Sequence, residues 1–180
     1  GIRYTDEDEA KPYDYFFEPI MERIEDGFRE IGDPRPTVVT EPGRSIVGEA
    51  GVTLYRVGST KNIPGVRRYV SVDGGMTDNI RPALYGSKYE SWTSSRKEEE
   101  LVTVCGKCCE SGDILLKDVT MKRPERGDLL VVFGTGAYCW SMLSNYNKIP
   151  SLPVIMTKEG KSRLIVRGQT YEDLISREVL

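Results

Sequence analysis

"GVTLYRVGSTKNIPGVRRYVSVDGG", residues 51–75, contains two strand-like runs on either side of Pro64-Gly65 and ends on Gly74-Gly75. β-branched and aromatic residues bounded by Pro-Gly and Gly-Gly turns are what half-buried antiparallel strands require. The texture continues in "YESWTSS" (89–95), "ELVTVCG" (100–106), "DILLKDVTM" (113–121) and "DLLVVFG" (128–134), with a further turn at Arg126-Gly127-Asp128. "PVIMTKEGKSRLIVRG" (153–168) reads as a hairpin turning at Lys158 to Lys161. "TYEDLISREVL" (170–180) opens like a short capped helix, Thr170 as cap and Asp173 as the acid three positions on. A helical turn is expected near Gly136 to Leu143. The expected fold is mainly β: an antiparallel β domain, barrel- or sandwich-like, over residues 49–180.

The first 48 residues have a different texture. Residues 1–12 are charged and aperiodic and predict an exposed loop. Phe16, Ile20, Ile24, Phe28 and Ile31 recur every three to four positions, which predicts an amphipathic helix from Tyr13 to Ile31. Asp14 suits its first turn, Pro19 is tolerable near its start, and Gly32 followed by Pro34 should end it. Thr37 to Thr40 predict a short buried strand that breaks at Pro42-Gly43. A lone helix and strand cannot bury a parallel strand on both faces, so residues 1–48 are expected to be the tail of a larger α/β unit.

Charge excludes one class of function. The 25 Lys and Arg stand against 28 Asp and Glu, a net of −3, so there is no general excess of positive charge for phosphates. A nucleic-acid partner is therefore not expected. No apolar run reaches membrane-spanning length, and neither a membrane span nor a secretory signal is expected. Four cysteines are too few for a disulfide scaffold of this size, and a cytoplasmic setting is expected. The absence of histidine removes the usual near-neutral base and the commonest metal ligand.

Four stretches carry candidate chemistry. In "VCGKCCESGD" (104–113), Cys105, Cys108 and Cys109 have knuckle-like spacing, but a closed zinc site needs four ligands and no second pair or histidine exists. A zinc knuckle, a redox pair, a structural turn, and a binding loop presenting Cys109 with Glu110 remain as alternatives. "EPGRSI" (41–46) breaks into a possible helix start, where backbone N–H groups and Arg44 suit an anion; an ordinary turn suits it equally. Arg81 and Tyr85 are four apart and would share one face of a helical turn. In "GTGAYCW" (134–140), Tyr138 could set its ring against a planar ligand. Trp92 and Trp140 are expected to be packing residues.

In combination and order, "EPGRSIV" (41–47), "DGGMTDNIRPALYG" (73–86), "GKCCESGD" (106–113) and "GTGAYCWSMLSNYN" (134–147) resemble the successive signatures of the diaminopimelate decarboxylase family. These are pyridoxal-phosphate enzymes of the alanine racemase-like class. The resemblance implies a (β/α)8 barrel carrying pyridoxal 5'-phosphate and a C-terminal β domain completing the site across a homodimer. Residues 1–48 would be the last part of that barrel, and "GIRY" (1–4) resembles the segment just after its glycine-rich phosphate loop.

Roles carry over with the motifs. Glu41, Pro42, Gly43 and Arg44 match the Glu-Pro-Gly-Arg stretch, with Gly43 and Arg44 at the cofactor phosphate and the Arg44 side chain on a substrate carboxylate. Arg81 and Tyr85 would bind the distal end of the amino-acid substrate. Cys109 and Glu110 would reach into the second subunit's site, Cys109 as a catalytic thiol and Glu110 reading the distal amine. Tyr138 would lie beside cofactor and substrate, and no metal is implied. The family's Schiff-base lysine is implied to lie earlier than any matched motif, so these 180 residues alone are expected to be inactive. The parent reaction would convert meso-diaminopimelate to L-lysine and carbon dioxide. A non-catalytic binding or dimerisation β module is one rival. A decarboxylase for ornithine, arginine or a carboxylated polyamine is the other.

Overall fold

The computed structural model describes Thr5 and residues 7–179; the segment Gly1 to Tyr4, read above as following a glycine loop, lies outside the described residues. Helix α1 spans Tyr13–Ile31, with Asp14 in its first turn. Gly32 takes the left-handed conformation (φ 76°) that lets its amide return to Arg29, which is why the helix stops there. Pro19 stands inside the second turn, further in than expected. No residue of α1 is fully buried, and Ile20 and Ile31 of its apolar stripe are exposed.

Residues 32–42 form no strand. The run Thr37 to Thr40, expected to be one, has suitable residue types but no neighbouring strand, and a strand is stable only when its backbone groups are paired. The five-residue helix α2 follows at Gly43–Val47.

The β domain is built from β1 (Thr53–Ile63), β2 (Arg67–Val72), helix α3 (Arg81–Tyr85), β3 (Ser91–Thr93), β4 (Glu99–Cys105), β5 (Ile114–Lys122) and β6 (Leu129–Val132). The six strands form one sheet in the order β3-β6-β1-β2-β4-β5. Its edge strands β3 and β5 approach each other, so the sheet nearly closes into a barrel. All pairs are antiparallel except β2 with β4, which run parallel from Arg68↔Val102 to Ser71↔Cys105. The sheet is therefore mixed and not purely antiparallel. A parallel pair needs a long crossover, and residues 73–98, which carry α3 and β3, supply it.

Alternation turns Tyr55 and Val57, Val70 and Val72, Val102 and Val104, and Leu130 and Val132 inward. With Leu115, Leu116, Met121, Tyr89 and Cys139 they make one core. Trp92 and Trp140, expected to pack inside, are both about half exposed. Trp92 takes the outward side of an edge strand whose next residue, Thr93, is buried.

Trp140–Met142 and Tyr146–Lys148 are single 3-10 turns. Hairpin β7 (Val154–Lys158) and β8 (Lys161–Val166) turns at Glu159-Gly160 and forms its own two-stranded sheet. Helix α4 (Tyr171–Ile175) starts from the reciprocal Thr170–Asp173 capping box. Among the described residues, no helix is long and apolar enough to cross a membrane.

Candidate functional site

Helix α2 and the segment after β6 are fastened together through glycine. The Thr135 amide donates to the Gly51 carbonyl and the Gly136 amide to the Gly48 carbonyl, each at 2.9 Å. A Cβ on Gly136 would stand 1.8 Å from the Val47 carbonyl oxygen, so only glycine permits this approach. The Tyr13 hydroxyl meets Ser45 Oγ at 2.6 Å and ties α1 to the same short helix.

This docking fixes where Tyr138 goes. Its neighbours Ala137 and Cys139 are buried, while Tyr138 itself is 45% exposed and holds φ at 64°. A bulky residue in the left-handed region is strained, and here the strain turns the ring outward between two buried positions. The phenol oxygen lies 3.4 Å from where a Cβ on Gly43 would be, so the tyrosine occupies the space that the glycine leaves.

Arg81 completes the group. Ile80 and Gly86 bound α3, which does place Arg81 and Tyr85 on one face. The Arg81 guanidinium carbon stands 4.9 Å from the Tyr85 ring and 5.5 Å from the Tyr138 ring. Asn79 Oδ1 accepts from the Arg81 amide at 3.3 Å, and Nη1 contacts Met142 Sδ at 3.8 Å. Behind them Cys139 Sγ and the Tyr89 hydroxyl are 3.7 Å apart. Burial pushes the Cys139 thiol up, opposed by the Tyr89 hydrogen bond and by the positive charges of Arg81 and Arg44. Burial likewise pushes the Tyr89 phenol up to about 12, against the same two arginines. Both guanidiniums are therefore felt at one place. Gly43 lies against the Tyr138 hydroxyl and Arg81 beside both Tyr85 and Tyr138, with Arg44 next in chain to Gly43, while Glu41 is exposed at the approach to α2.

Cys109 and Glu110 do not join them. They sit in the 106–112 loop between β4 and β5, both exposed. The Cys109 amide donates to Asn147 Oδ1 at 2.8 Å, and its carbonyl accepts from the Tyr146 hydroxyl at 3.5 Å. Glu110 Oε1 accepts from the Gly112 amide at 2.9 Å and from Ser111 Oγ at 3.4 Å.

The four cysteines are unpaired, and among the described residues no three Cys, Asp or Glu side chains are grouped to hold a metal ion. Burial, then the charge of Asp113, push the Cys108 thiol up to about 11, so it is protonated at neutral pH and unsuited to redox exchange. An open cavity of about 870 Å³ lies along the sheet seam, lined in part by Pro82, Lys88, Ser91, Leu116 and Phe133. None of the candidate site residues lines it.

Sequence reasoning missed the buried acids beneath the loop. Asp113, only 3% exposed, accepts from the Met76 amide at 2.6 Å and the Cys108 amide at 2.8 Å. Asp78 accepts from the Gly75 amide at 2.9 Å, and burial pushes it up to about 6. The signal available was the pair Gly74-Gly75 beside Gly106, small residues able to leave room for a side chain from elsewhere.

Residues 12–136 match the C-terminal sheet domain of the pyridoxal-dependent decarboxylases. The chain is 48% identical over 182 residues to a diaminopimelate decarboxylase of Bacillus subtilis (strain 168), a match covering 99% of this chain and 42% of that protein. Among solved structures it resembles a diaminopimelate decarboxylase of M. jannaschi (TM-score 0.88, 31% identity, all of this chain and 41% of that one). It also resembles that of Helicobacter pylori complexed with L-lysine (TM-score 0.83, 35% identity, 99% of this chain and 42% of that one). The chain thus spans about two fifths of the length of the curated relatives it matches.

Proposed function

The chain belongs to the pyridoxal-dependent decarboxylases through their C-terminal sheet domain, and from that premise we propose that it supplies the substrate-reading and phosphate-facing part of a diaminopimelate decarboxylase. The observation that carries this is the Arg81 guanidinium, set 4.9 Å from the Tyr85 ring and 5.5 Å from the ring of Tyr138, whose hydroxyl lies against Gly43.

Two arginines within reach of one point suit a dicarboxylate. Diaminopimelate carries a carboxylate and an amine at each end, whereas ornithine and lysine lack the distal carboxylate. Arg44 and Arg81 each offer a planar donor fork to such a group. Tyr85 and Tyr138 place their rings 4.9 and 5.5 Å from the Arg81 guanidinium carbon, which restricts the side chain before substrate binds. A substrate without the distal carboxylate forgoes the two-point contact with the arginine fork, which is how such a site discriminates.

The residues present fit pyridoxal phosphate on one side: Gly43 and Arg44 begin α2, and with no Cβ at Gly43 its backbone lies next to the Tyr138 hydroxyl. The backbone at Gly43 and Arg44 would hold the phosphate, leaving the Arg44 side chain to the substrate carboxylate, with Glu41 at the approach and the Tyr138 ring beside the heterocycle. When bound, the pyridine ring supplies the electron sink for the pair released as the Cα–carboxylate bond breaks. The protein's part is to orient that bond and to grip the far end of the molecule. Cys109 and Glu110, exposed at their loop tip, complete the site of a second copy in a homodimer, Glu110 accepting from the distal ammonium and the Cys109 thiol donating a proton at the reacting carbon. Residues 1–48 are assigned to the cofactor-bearing barrel and 49–180 to the β domain. A cytoplasmic setting accords with four unpaired cysteines.

None of the groups named at this cluster is a lysine, so the amine that anchors the cofactor is not among them. The test is the pyridoxal-phosphate holoenzyme containing this chain, given meso-diaminopimelate and ornithine in parallel. Lysine and carbon dioxide from the first, with no putrescine from the second, is the expected result. Putrescine formation would overturn the assignment.

A further inference from the structure

The 106–112 loop has no strand or helix of its own, yet it is held from two sides. On one side, both carboxylate oxygens of Asp113 are used: Oδ1 accepts from the Met76 amide and Oδ2 from the Cys108 amide. The Asp113 backbone accepts from Gly106 at 3.0 Å and donates to Glu110 at 3.1 Å. Two glycines make room, because a Cβ on Gly75 would lie 2.6 Å from this carboxylate and one on Gly106 2.2 Å. On the other side, Asn147 and Tyr146 bind Cys109, and the Ser144 amide donates to the Thr77 carbonyl. Both holds end on the same turn, residues 75–79.

That turn leads directly into α3. The Gly75 carbonyl accepts from the Asp78 and Asn79 amides, and Asn79 Oδ1 accepts from the Arg81 amide. A run of hydrogen bonds therefore joins Cys108 to Arg81 through the buried Asp113 carboxylate, beside a direct bond from the Lys107 amide to the Gly74 carbonyl at 3.1 Å and a contact of Cys108 with Thr77. An ionised carboxylate can accept from both amides; a carboxamide presents one oxygen, and its NH2 would face an amide donor.

We propose that Asp113 is a positioning residue whose carboxylate, seated between Gly75 and Gly106, fixes the Cys109–Glu110 loop and the turn leading to Arg81 relative to each other. For the roles of Arg81 and Glu110 this rests on the function proposed above. Asp113 does not touch substrate. It sets the spacing of the groups that do. Asp78, Lys107, Cys108, Cys105 and Tyr55 are the titratable groups around it.

Hydrogen exchange on the 180-residue chain tests the clamp without turnover. In Asp113→Asn and, independently, Gly106→Ala, the amides of 75–79 and of 106–112 should both exchange faster by about tenfold or more while β1 and β6 stay protected. Loss of protection in one segment alone, or in neither, would overturn the proposal. Because Gly106→Ala leaves the carboxylate in place and crowds it, the two variants do not share a folding defect by design. Kinetics of the holoenzyme then separate positioning from plain stability. Asp113→Asn and Glu110→Gln should each raise KM for diaminopimelate, and the double variant should be no worse than the poorer single one. Additive effects would show that Asp113 does not act through Glu110. Exchange can fail while the substrate assignment stands, and the Glu110→Gln KM tests that assignment separately.

Discussion

The Arg81 guanidinium carbon lies 5.5 Å from the ring of Tyr138, a residue 57 positions away in sequence and held at φ 64°. A strained backbone and a cation over a ring coincide at the point where Gly43 leaves space. Arg81→Ala should therefore lower kcat/KM for diaminopimelate by about a hundredfold or more, the cost of leaving a carboxylate without its fork. Arg81→Lys should recover little, because an ammonium lacks the planar fork that binds a carboxylate in two places. Thermal unfolding should shift little in both variants. A near-normal rate for Arg81→Ala would remove this residue from substrate recognition.

Gly136 bears on the same point from below. Its Cβ would collide with the Val47 carbonyl and the Gly51 amide, both backbone and therefore unable to swing aside. Gly136→Ala should destabilise by roughly 2 kcal/mol or more through enforced backbone displacement. It should also move Tyr138 away from Gly43. Urea unfolding measures the first effect. For the second, weaker pyridoxal-phosphate binding by the Gly136→Ala holoenzyme is expected, with unchanged affinity arguing that the two segments are independent.

What could be read in advance follows from how local each cause is. The strands, the β7–β8 hairpin, the Thr170–Asp173 box and the end of α1 at Gly32 depend on neighbours a few residues away, so residue type and spacing suffice. Arg81 and Tyr85 share a face for the same reason. The parallel β2–β4 pairing joins residues such as Tyr69 and Thr103 across a long crossover, and period-two alternation is the same for either direction. Thr37 to Thr40 have strand chemistry but no partner to pair with. Asp113, in "ESGD", reads as a turn acid, and its burial depends on glycines at 75 and 106 coming together. The convergence of Arg44, Arg81 and Tyr138 was legible only through the resemblance, because no spacing rule connects them.

Asp78 gives the domain a pH dependence of definite sign. Burial raises it to about 6 from an ordinary 3.8, so the folded state favours its neutral form. A raised carboxyl stabilises the fold fully below its unfolded value, and that contribution is lost as pH rises through the folded one. Between about pH 4 and 6 stability should fall with rising pH, by about 3 kcal/mol at most for this group. Asp173, partly exposed and lowered by Arg167 and by the Thr170 amide, has the opposite sign and acts only at lower pH. Asp78→Asn should flatten the pH 4 to 6 slope in urea titrations, and an unchanged slope would assign it to another group.

The adjacent thiols Cys108 and Cys109 should behave unlike each other. Cys109 is exposed at the loop tip, whereas Cys108 is half-buried against Asp113 and Thr77 and pushed up to about 11. Alkylation requires thiolate and access together. At pH 8, iodoacetamide should modify Cys109 first, with Cys108 slower and the buried Cys139 protected until unfolding. Asp113→Asn removes the charge that raises Cys108 and should bring its half-reaction pH downward, while Cys139 remains protected. Peptide mass mapping over a pH series resolves the sites. Equal rates at Cys108 and Cys109 in the unaltered chain would mean that the carboxylate does not hold the loop in this geometry.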